Sequence, residues 1–235
     1  MNRPKIESRE AWTVARKALL AKEKELDRQR DALSAARREL PWVKVDKEYV
    51  FLGPSGRTTL PELFDARRQL IVYHFMFDPT WDEGCKSCSY LADNFDRGVA
   101  HLGARDTSFA AISRAPLAKL EAFKKRMGWT FRWLSAAETD FNYDYHVSFR
   151  PEDVAAGKVE YNYANKPFPM SEAPGVSVFF REGNDVFHTY STYARGLDHL
   201  IGTYNYLDLT PLGRNEQDLP YGMAWLRHHD RYDSR

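Results

Sequence analysis

From Glu7 to Leu40 charged and small residues dominate, and no Gly or Pro interrupts them before Pro41. This predicts one long helix. Trp12, Leu19, Leu26, Leu33 and Leu40 recur every seven residues, while the companion positions Ala15, Lys22, Gln29 and Ala36 are small or polar. The spacing is half of a coiled-coil seam. At about 1.5 Å per residue the helix would span roughly 50 Å, longer than a small domain is wide. It is expected to lie on its own domain or on a second copy of the chain, a homodimer through this helix; a helix that recruits another partner is the alternative.

Beyond Pro41 the pattern changes to short apolar runs. KEYVFLG leads to a turn at Gly53-Pro54-Ser55-Gly56 and then to the short amphipathic piece LPELFDARRQ. Leu70 to Phe77, LIVYHFMF, is a continuous run with hardly a polar residue, as a strand buried on both faces would be. Cys85 to Leu102 carries helical spacing, DTSFAAIS from Asp106 reads as a strand, and Pro116 opens a helix that stops at Gly128. The order strand, helix, strand, helix predicts a parallel α/β core.

Thr130 to Leu134 reads as a short strand, after which periodicity is lost over about residues 136–173. That stretch holds Phe141, Tyr143, Tyr145, Phe149, Tyr161, Tyr163 and Phe168, and so predicts an ordered aromatic insertion that could roof a site. GVSVFF and VFHTYSTY flank Glu182 to Asp185 as a hairpin, and LDHLIGTYNYLD reads as a helix ending near Pro211. The expected organisation is an arm over residues 1–41, a domain over 42–211 and a docked tail over 212–235, with Trp225 and Tyr232 as its anchors.

Apolar residues make up 43% of the 235 and aromatic residues 14%, enough for a core without metal or disulfide support. The net charge of +1 gives no uniform field for nucleic acid or an anionic membrane surface. MNRPKIESREAW has neither the apolar core nor the cleavage site of a signal peptide, and no window reaches the apolar length of a membrane span. A cytoplasmic protein is expected, where thiols stay reduced.

Those expectations bear on WDEGCKSCSYLAD, which holds Cys85 and Cys88, the chain's two cysteines. As a staple they would close a ring of about four residues, worth only about 2 kcal/mol in the chain-entropy account. As half of a metal site they would need two more ligands, and His74, His101, His146, His188, His199, His228 and His229 show no supporting spacing. No metal or other cofactor is expected. As a redox pair they sit where a buried strand gives way to a helix, with Asp78, Pro79 and Gly84 in the connection.

There the helix N-terminus, and Lys86 between the cysteines, would stabilise a thiolate on Cys85. Cys85 is then the nucleophile and Cys88, one turn further in, the resolving thiol. His74 and Asp78 flank the end of the strand, where a proton acceptor for Cys88 would be useful. Tyr193, Arg195 and Arg214 are candidates to bind substrate, the arginines as partners for a carboxylate or phosphate. RHHDRY offers either a metal site or a docking segment.

FMFDPTWDEGCKSCSYLAD, AAISRAPLAKLEAF, FFREGNDVFHTYSTYARGLD, LDLTPLGRNE and MAWLRHHDRY together resemble a thioredoxin-like family of bacterial proteins described as predicted dithiol-disulfide oxidoreductases, related to the alkyl hydroperoxide reductase and thiol-specific antioxidant group. The resemblance implies a thioredoxin-like α/β fold, a central sheet flanked by helices. It also implies a redox-active Cys85 and Cys88, with Pro174 at the place where that fold carries a cis-proline facing the thiols. Two features depart from thioredoxins: Trp81 lies four residues before the first cysteine, and Lys86-Ser87 replaces Gly-Pro. The peroxiredoxin pattern P-x-x-x-T/S-x-x-C is absent, since Asp82 stands three residues before Cys85 and Cys85 three before Cys88.

The resulting expectation is a thiol-disulfide oxidoreductase acting on a protein or small-molecule disulfide. A thiol peroxidase is the alternative. From another class, a non-catalytic binding protein on the same scaffold would use the aromatic insertion and the arm.

Overall fold

A computed structural model describes residues 5–233. Two compact units divide at Pro41 and Trp42. In the first, α1 (Arg9–Arg38) starts at Ser8, whose hydroxyl accepts the Ala11 N–H at 3.2 Å. Arg37 and Arg38 in its last turn complement the helix dipole.

Among its described residues the second unit holds ten strands and six α-helices. The strands are β1 (Val43–Lys44), β2 (Val50–Gly53), β3 (Gly56–Thr59), β4 (Gln69–His74), β5 (Thr107–Ser113), β6 (Trp133–Ser135), β7 (Val159–Tyr161), β8 (Ala164–Lys166), β9 (Gly175–Glu182) and β10 (Asp185–Tyr193). The helices are α2 (Lys86–Phe95), α3 (Val99–Gly103), α4 (Leu117–Met127), α5 (Phe141–Asp144), α6 (Pro151–Ala155) and α7 (Gly202–Leu207). Three short 3-10 segments, Pro61–Phe64, Ala194–Leu200 and His229–Arg231, complete it.

Eight strands form one sheet in the order β1-β10-β9-β4-β5-β6-β2-β3. β4, β5 and β6 run parallel, while β9 is antiparallel to β4 and β10 antiparallel to β9. The sheet is therefore mixed, a parallel half joined to a hairpin. The inner order β10-β9-β4-β5, with both cysteines following β4 at the start of a helix, is the thioredoxin-like arrangement.

β4 is buried on both faces, and its alternation sorts its side chains. Tyr73 joins the apolar layer formed with α2, α4 and the end of the chain; Leu70 and Val72 join the opposite layer with Phe51, Phe64 and Phe141. A strand's period of two makes this division inevitable. α4 ends where Gly128 takes φ 66°, and Gly183 at φ 59° turns the β9–β10 hairpin, both left-handed positions that favour glycine.

The helix expected over LDHLIGTYNYLD is instead the segment Ala194–Leu200 followed by the short α7, because Ile201 breaks out at ψ 93°. The aromatic stretch after β6 is ordered as α5, α6 and the β7–β8 pair, around a cluster of Val147, Phe149, Val159, Tyr161 and Tyr193. Among the described residues no helix is long and apolar enough to cross a membrane.

Candidate functional site

The loop from Phe75 to Gly84 carries the chain from β4 to α2 and is held by short-range bonds. The Cys85 N–H donates to the Met76 carbonyl at 3.1 Å and the Ala115 N–H to the Phe77 carbonyl at 2.8 Å. At Gly84 an added Cβ would lie 2.8 Å from ring carbons of both Phe75 and Phe123. Only glycine lets the backbone pass this close to the aromatic core immediately before the first cysteine.

Cys85 is the N-cap of α2 and half-buried; Cys88, one turn on, is 1% exposed. Both are free thiols. A hydrogen bond from the Cys88 thiol lowers the pKa of Cys85 to about 7; burial opposes this, and the N–H groups of Cys88 and Ser87 add to it. The helix start therefore acts through specific N–H donors. Lys86 is exposed on α2 and takes no part in these contacts.

Cys88 moves in the other direction. Burial and the adjacent Cys85 sulfur raise its pKa well above the ordinary value, partly offset by hydrogen bonds from the Tyr73 hydroxyl and the Met76 N–H, the latter at 3.4 Å from Sγ. One thiol is poised to ionise near neutrality and its neighbour is held protonated.

Both cysteines open into a cleft of about 1020 Å³ together with Tyr73, Met76, Leu91, Pro174, Leu197 and Ile201. Phe168 and Met170 of the aromatic insertion reach its edge, and residues from Leu212 to Met223 form another wall. Pro174 lines the cleft that holds both thiols, and its peptide bond is trans, unlike the cis-proline that the resemblance implies, since no cis bond occurs among the described residues. Trp81 packs against the same apolar layer, and its carbonyl accepts from Lys119 at 2.8 Å.

Five of the residues singled out from sequence lie elsewhere or are already engaged. His74 points to the opposite face of the sheet from Cys88, where its ring nitrogens meet Asn142 Oδ1 at 3.3 Å and Ser177 Oγ at 2.9 Å. Burial depresses its pKa to about 4, so it is neutral. Asp78 is bound into a buried network, with Oδ2 accepting from Arg114 at 2.6 Å and from Ser171 at 2.9 Å, and Oδ1 accepting from Thr80. Tyr193 donates its hydroxyl to the Tyr145 carbonyl at 3.1 Å and is not among the residues lining the cleft. Arg214 does line it, but Asp208 and Asp198 take its guanidinium at 2.8 and 3.1 Å. Arg195 is exposed at the rim, 3.3 Å from Asp198.

Three residues outside the predicted thiol, proton-acceptor and substrate-binding set shape the site. Tyr73 is the strand residue beside Cys88, and the alternation along LIVYHFMF could have found it, since the odd-numbered side chains share the face of α2. Glu216 gathers the end of the chain: its Oε1 accepts from the Tyr204 hydroxyl at 2.8 Å, Trp225 Nε1 at 2.6 Å and the Met223 N–H at 3.0 Å. His228, 2% exposed, places Nε2 2.9 Å from the Gly84 carbonyl. RHHDRY is thus a docking segment in which Asp230 and Arg231 also pair with Arg126 and Glu83. Trp225 is partly buried, its ring edge-on to Tyr90, whereas Tyr232 is exposed. No group of three or more metal-ligating side chains is found among the described residues.

The structure is similar to several solved ones. Peroxidoxin BcpB from Mycobacterium tuberculosis is 14% identical, covers 70% of this chain and 95% of its own, and superposes with a TM-score of 0.47. Peroxiredoxin Q from Xanthomonas campestris gives 12%, 71%, 94% and 0.47, and thioredoxin peroxidase I from Plasmodium yoelii 13%, 72%, 88% and 0.43. At this distance the likeness says nothing about chemistry. No curated protein matches the chain. One family model, described as "Bacterial protein of unknown function (DUF899)", matches residues 1–232, and the chain therefore belongs to the DUF899 family.

Proposed function

We propose that the protein is a dithiol-disulfide oxidoreductase in which Cys85 attacks and Cys88 resolves. The observation that carries this reading is the placement of two free thiols one helical turn apart, the first at the N-cap of α2 and both lining an open cleft, with the directions of their pKa shifts in accord. The Cys85 thiolate attacks one sulfur of a substrate disulfide, the S–S bond breaks, and the departing thiolate takes up a proton. Cys88 then loses its proton and attacks the Cys85 sulfur of the mixed disulfide, which releases the second substrate thiol. The protein dithiol is oxidised by two electrons and the substrate reduced to two thiols.

Burial keeps Cys88 protonated until the mixed disulfide has consumed the Cys85 negative charge that raises its pKa. The order of attack then follows from the site. Tyr73 and the Met76 N–H are the groups that can receive the charge developing on Cys88 as its proton leaves.

Trapping tests the assignment. Cys88→Ser should accumulate a mixed disulfide on Cys85 when mixed with a small disulfide, and Cys85→Ser should accumulate none. Accumulation on Cys88 in the Cys85→Ser protein, at a rate matching Cys85, would reverse the roles. Exposure to hydrogen peroxide in the same variants separates the peroxidase reading. That reading requires fast conversion of Cys85 to a sulfenic acid, at a site where exposed Asp82 stands in place of the peroxiredoxin threonine or serine.

A further inference from the structure

The cleft above the thiols has a chemical character of its own. Leu91, Leu197, Ile201, Tyr204, Leu212 and Met223 make most of its wall apolar. Its volume of about 1020 Å³ is at the upper end of the range of about 300–1,000 Å³ for small-molecule sites. An apolar wall around a reacting sulfur selects a substrate with an apolar body.

The charges at the rim are unevenly spent. Arg214 is shared by Asp198 and Asp208, and Asp198 also meets the exposed Arg195. These four side chains balance. Glu216, the remaining charged residue of the lining, is held by neutral donors, the Tyr204 hydroxyl, the Trp225 indole and the Met223 amide. Arg214 also attracts the Glu216 carboxylate from nearby, but it already serves Asp198 and Asp208, so with two arginines against three acids the lining carries one net negative charge and no cation free of an acidic neighbour. Lys86 is exposed at the helix start and is not part of the lining. An anionic substrate would meet a negative lining of low polarity, where repulsion is less screened than in water.

We propose that the cleft takes small disulfides with an apolar body and no negative charge, and that Glu216 excludes anionic ones. This rests on the dithiol reading above. The chemistry is the exchange already written, with the apolar half of the substrate seated against Leu197 and Ile201 while its outer sulfur departs toward the rim.

Two aromatic probes of similar size isolate the charge: dithiodipyridine, neutral at pH 7, and dithiobis(nitrobenzoate), which carries a carboxylate on each ring. Each releases a coloured thiol, so single-turnover rates with the reduced protein are read directly and divided by the rates of free dithiothreitol with the same probe. The expected normalised preference for the neutral probe is about tenfold or more. Glu216→Gln retains one side-chain oxygen as the acceptor for Tyr204, Trp225 and Met223 and removes the charge. It should raise the ratio of the anionic-probe rate to the neutral-probe rate several-fold.

Equal normalised rates for the two probes, or a Glu216→Gln protein that discriminates as the parent does, would overturn the proposal. So would faster normalised reduction of insulin disulfides than of dithiodipyridine, because the substrate would then be a protein. Alkylation of Cys85 by neutral iodoacetamide separates the two levels of failure. If Cys85 is alkylated readily and the probes are not distinguished, the substrate class falls and the dithiol reading stands; if Cys85 is inert to every reagent, the dithiol reading itself falls.

Discussion

Replacing Cys88 by alanine tests the electrostatics of the site at its centre. The thiol of Cys88 is the largest influence that lowers the Cys85 pKa to about 7, and burial acts against it. A hydrogen bond to a charged group contributes about 1.5–3 kcal/mol, and one pKa unit corresponds to about 1.4 kcal/mol. Removing the donor should therefore raise the Cys85 pKa by about one to two units, while the N–H groups of Ser87 and residue 88 remain. At pH 7 the thiolate fraction falls from about half to roughly 1–10%, and iodoacetamide alkylation slows by roughly 5- to 50-fold. Rates measured from pH 5 to 10 give the midpoint directly. Cys88→Ser retains a hydroxyl donor and should keep the midpoint near 7. If Cys88→Ala leaves the midpoint within about 0.3 unit of the parent, or if the serine and alanine variants shift alike, the neighbouring thiol is not what stabilises the Cys85 thiolate.

Other outcomes follow from the surrounding structure. Gly84→Ala forces a Cβ to within 2.8 Å of Phe75 and Phe123 and should cost about 1–3 kcal/mol in urea unfolding, as overpacked cores do; no loss would mean the loop moves freely away from the rings. His74→Asn should reduce stability by about 1–3 kcal/mol through the partners left at Asn142 and Ser177, with the Cys85 alkylation midpoint unchanged because the imidazole lies on the other side of the sheet. A shifted midpoint would contradict that placement.

Glu172, buried beside Arg114, has its pKa raised to about 7 by burial, so between about pH 4.5 and 7 the native state holds a proton that the unfolded state has released. Stability from this group is then lost as pH rises through that window, by up to about 3 kcal/mol. Thermal melts of the parent and Glu172→Gln should diverge in that direction, and parallel curves would count against it. His228→Ala should cost about 1–3 kcal/mol by releasing the Gly84 carbonyl, read by the same unfolding assay; an unchanged midpoint would show that the contact is not maintained in solution.

Much of the fold can be read from local pattern. The apolar run at Leu70, the proline and glycine bracketing α4, and the turn at Gly183 each fix an element through the physics of a few adjacent residues. C-x-x-C after the strand locates the thiols for the same reason. The misplacements come from geometry that one-dimensional pattern does not display unless strand parity is applied. Proximity in sequence marks His74 as a polar residue beside the cysteines, yet alternation turns it away and presents Tyr73.

Arg214 illustrates a second limit. A free arginine and one shared by two aspartates look alike in sequence, and the partners that neutralise it, Asp198 and Asp208, lie 16 and 6 residues away. The end of the chain shows a third. No periodicity runs from Leu212 to Tyr232, and its position depends on single contacts, Glu216 to Tyr204 and His228 to Gly84, which only the folded chain brings together.

The account rests on Cys85 and Cys88 forming a working dithiol-disulfide couple, and its reduction potential is the measurement that bears on this most directly. The protein would be equilibrated in glutathione or dithiothreitol redox buffers and its free thiols counted. A reversible two-electron transition between roughly −120 and −270 mV is predicted, the range of known oxidoreductases. Thiols that never pair across that range, or zinc found bound to them on metal analysis, would contradict the account.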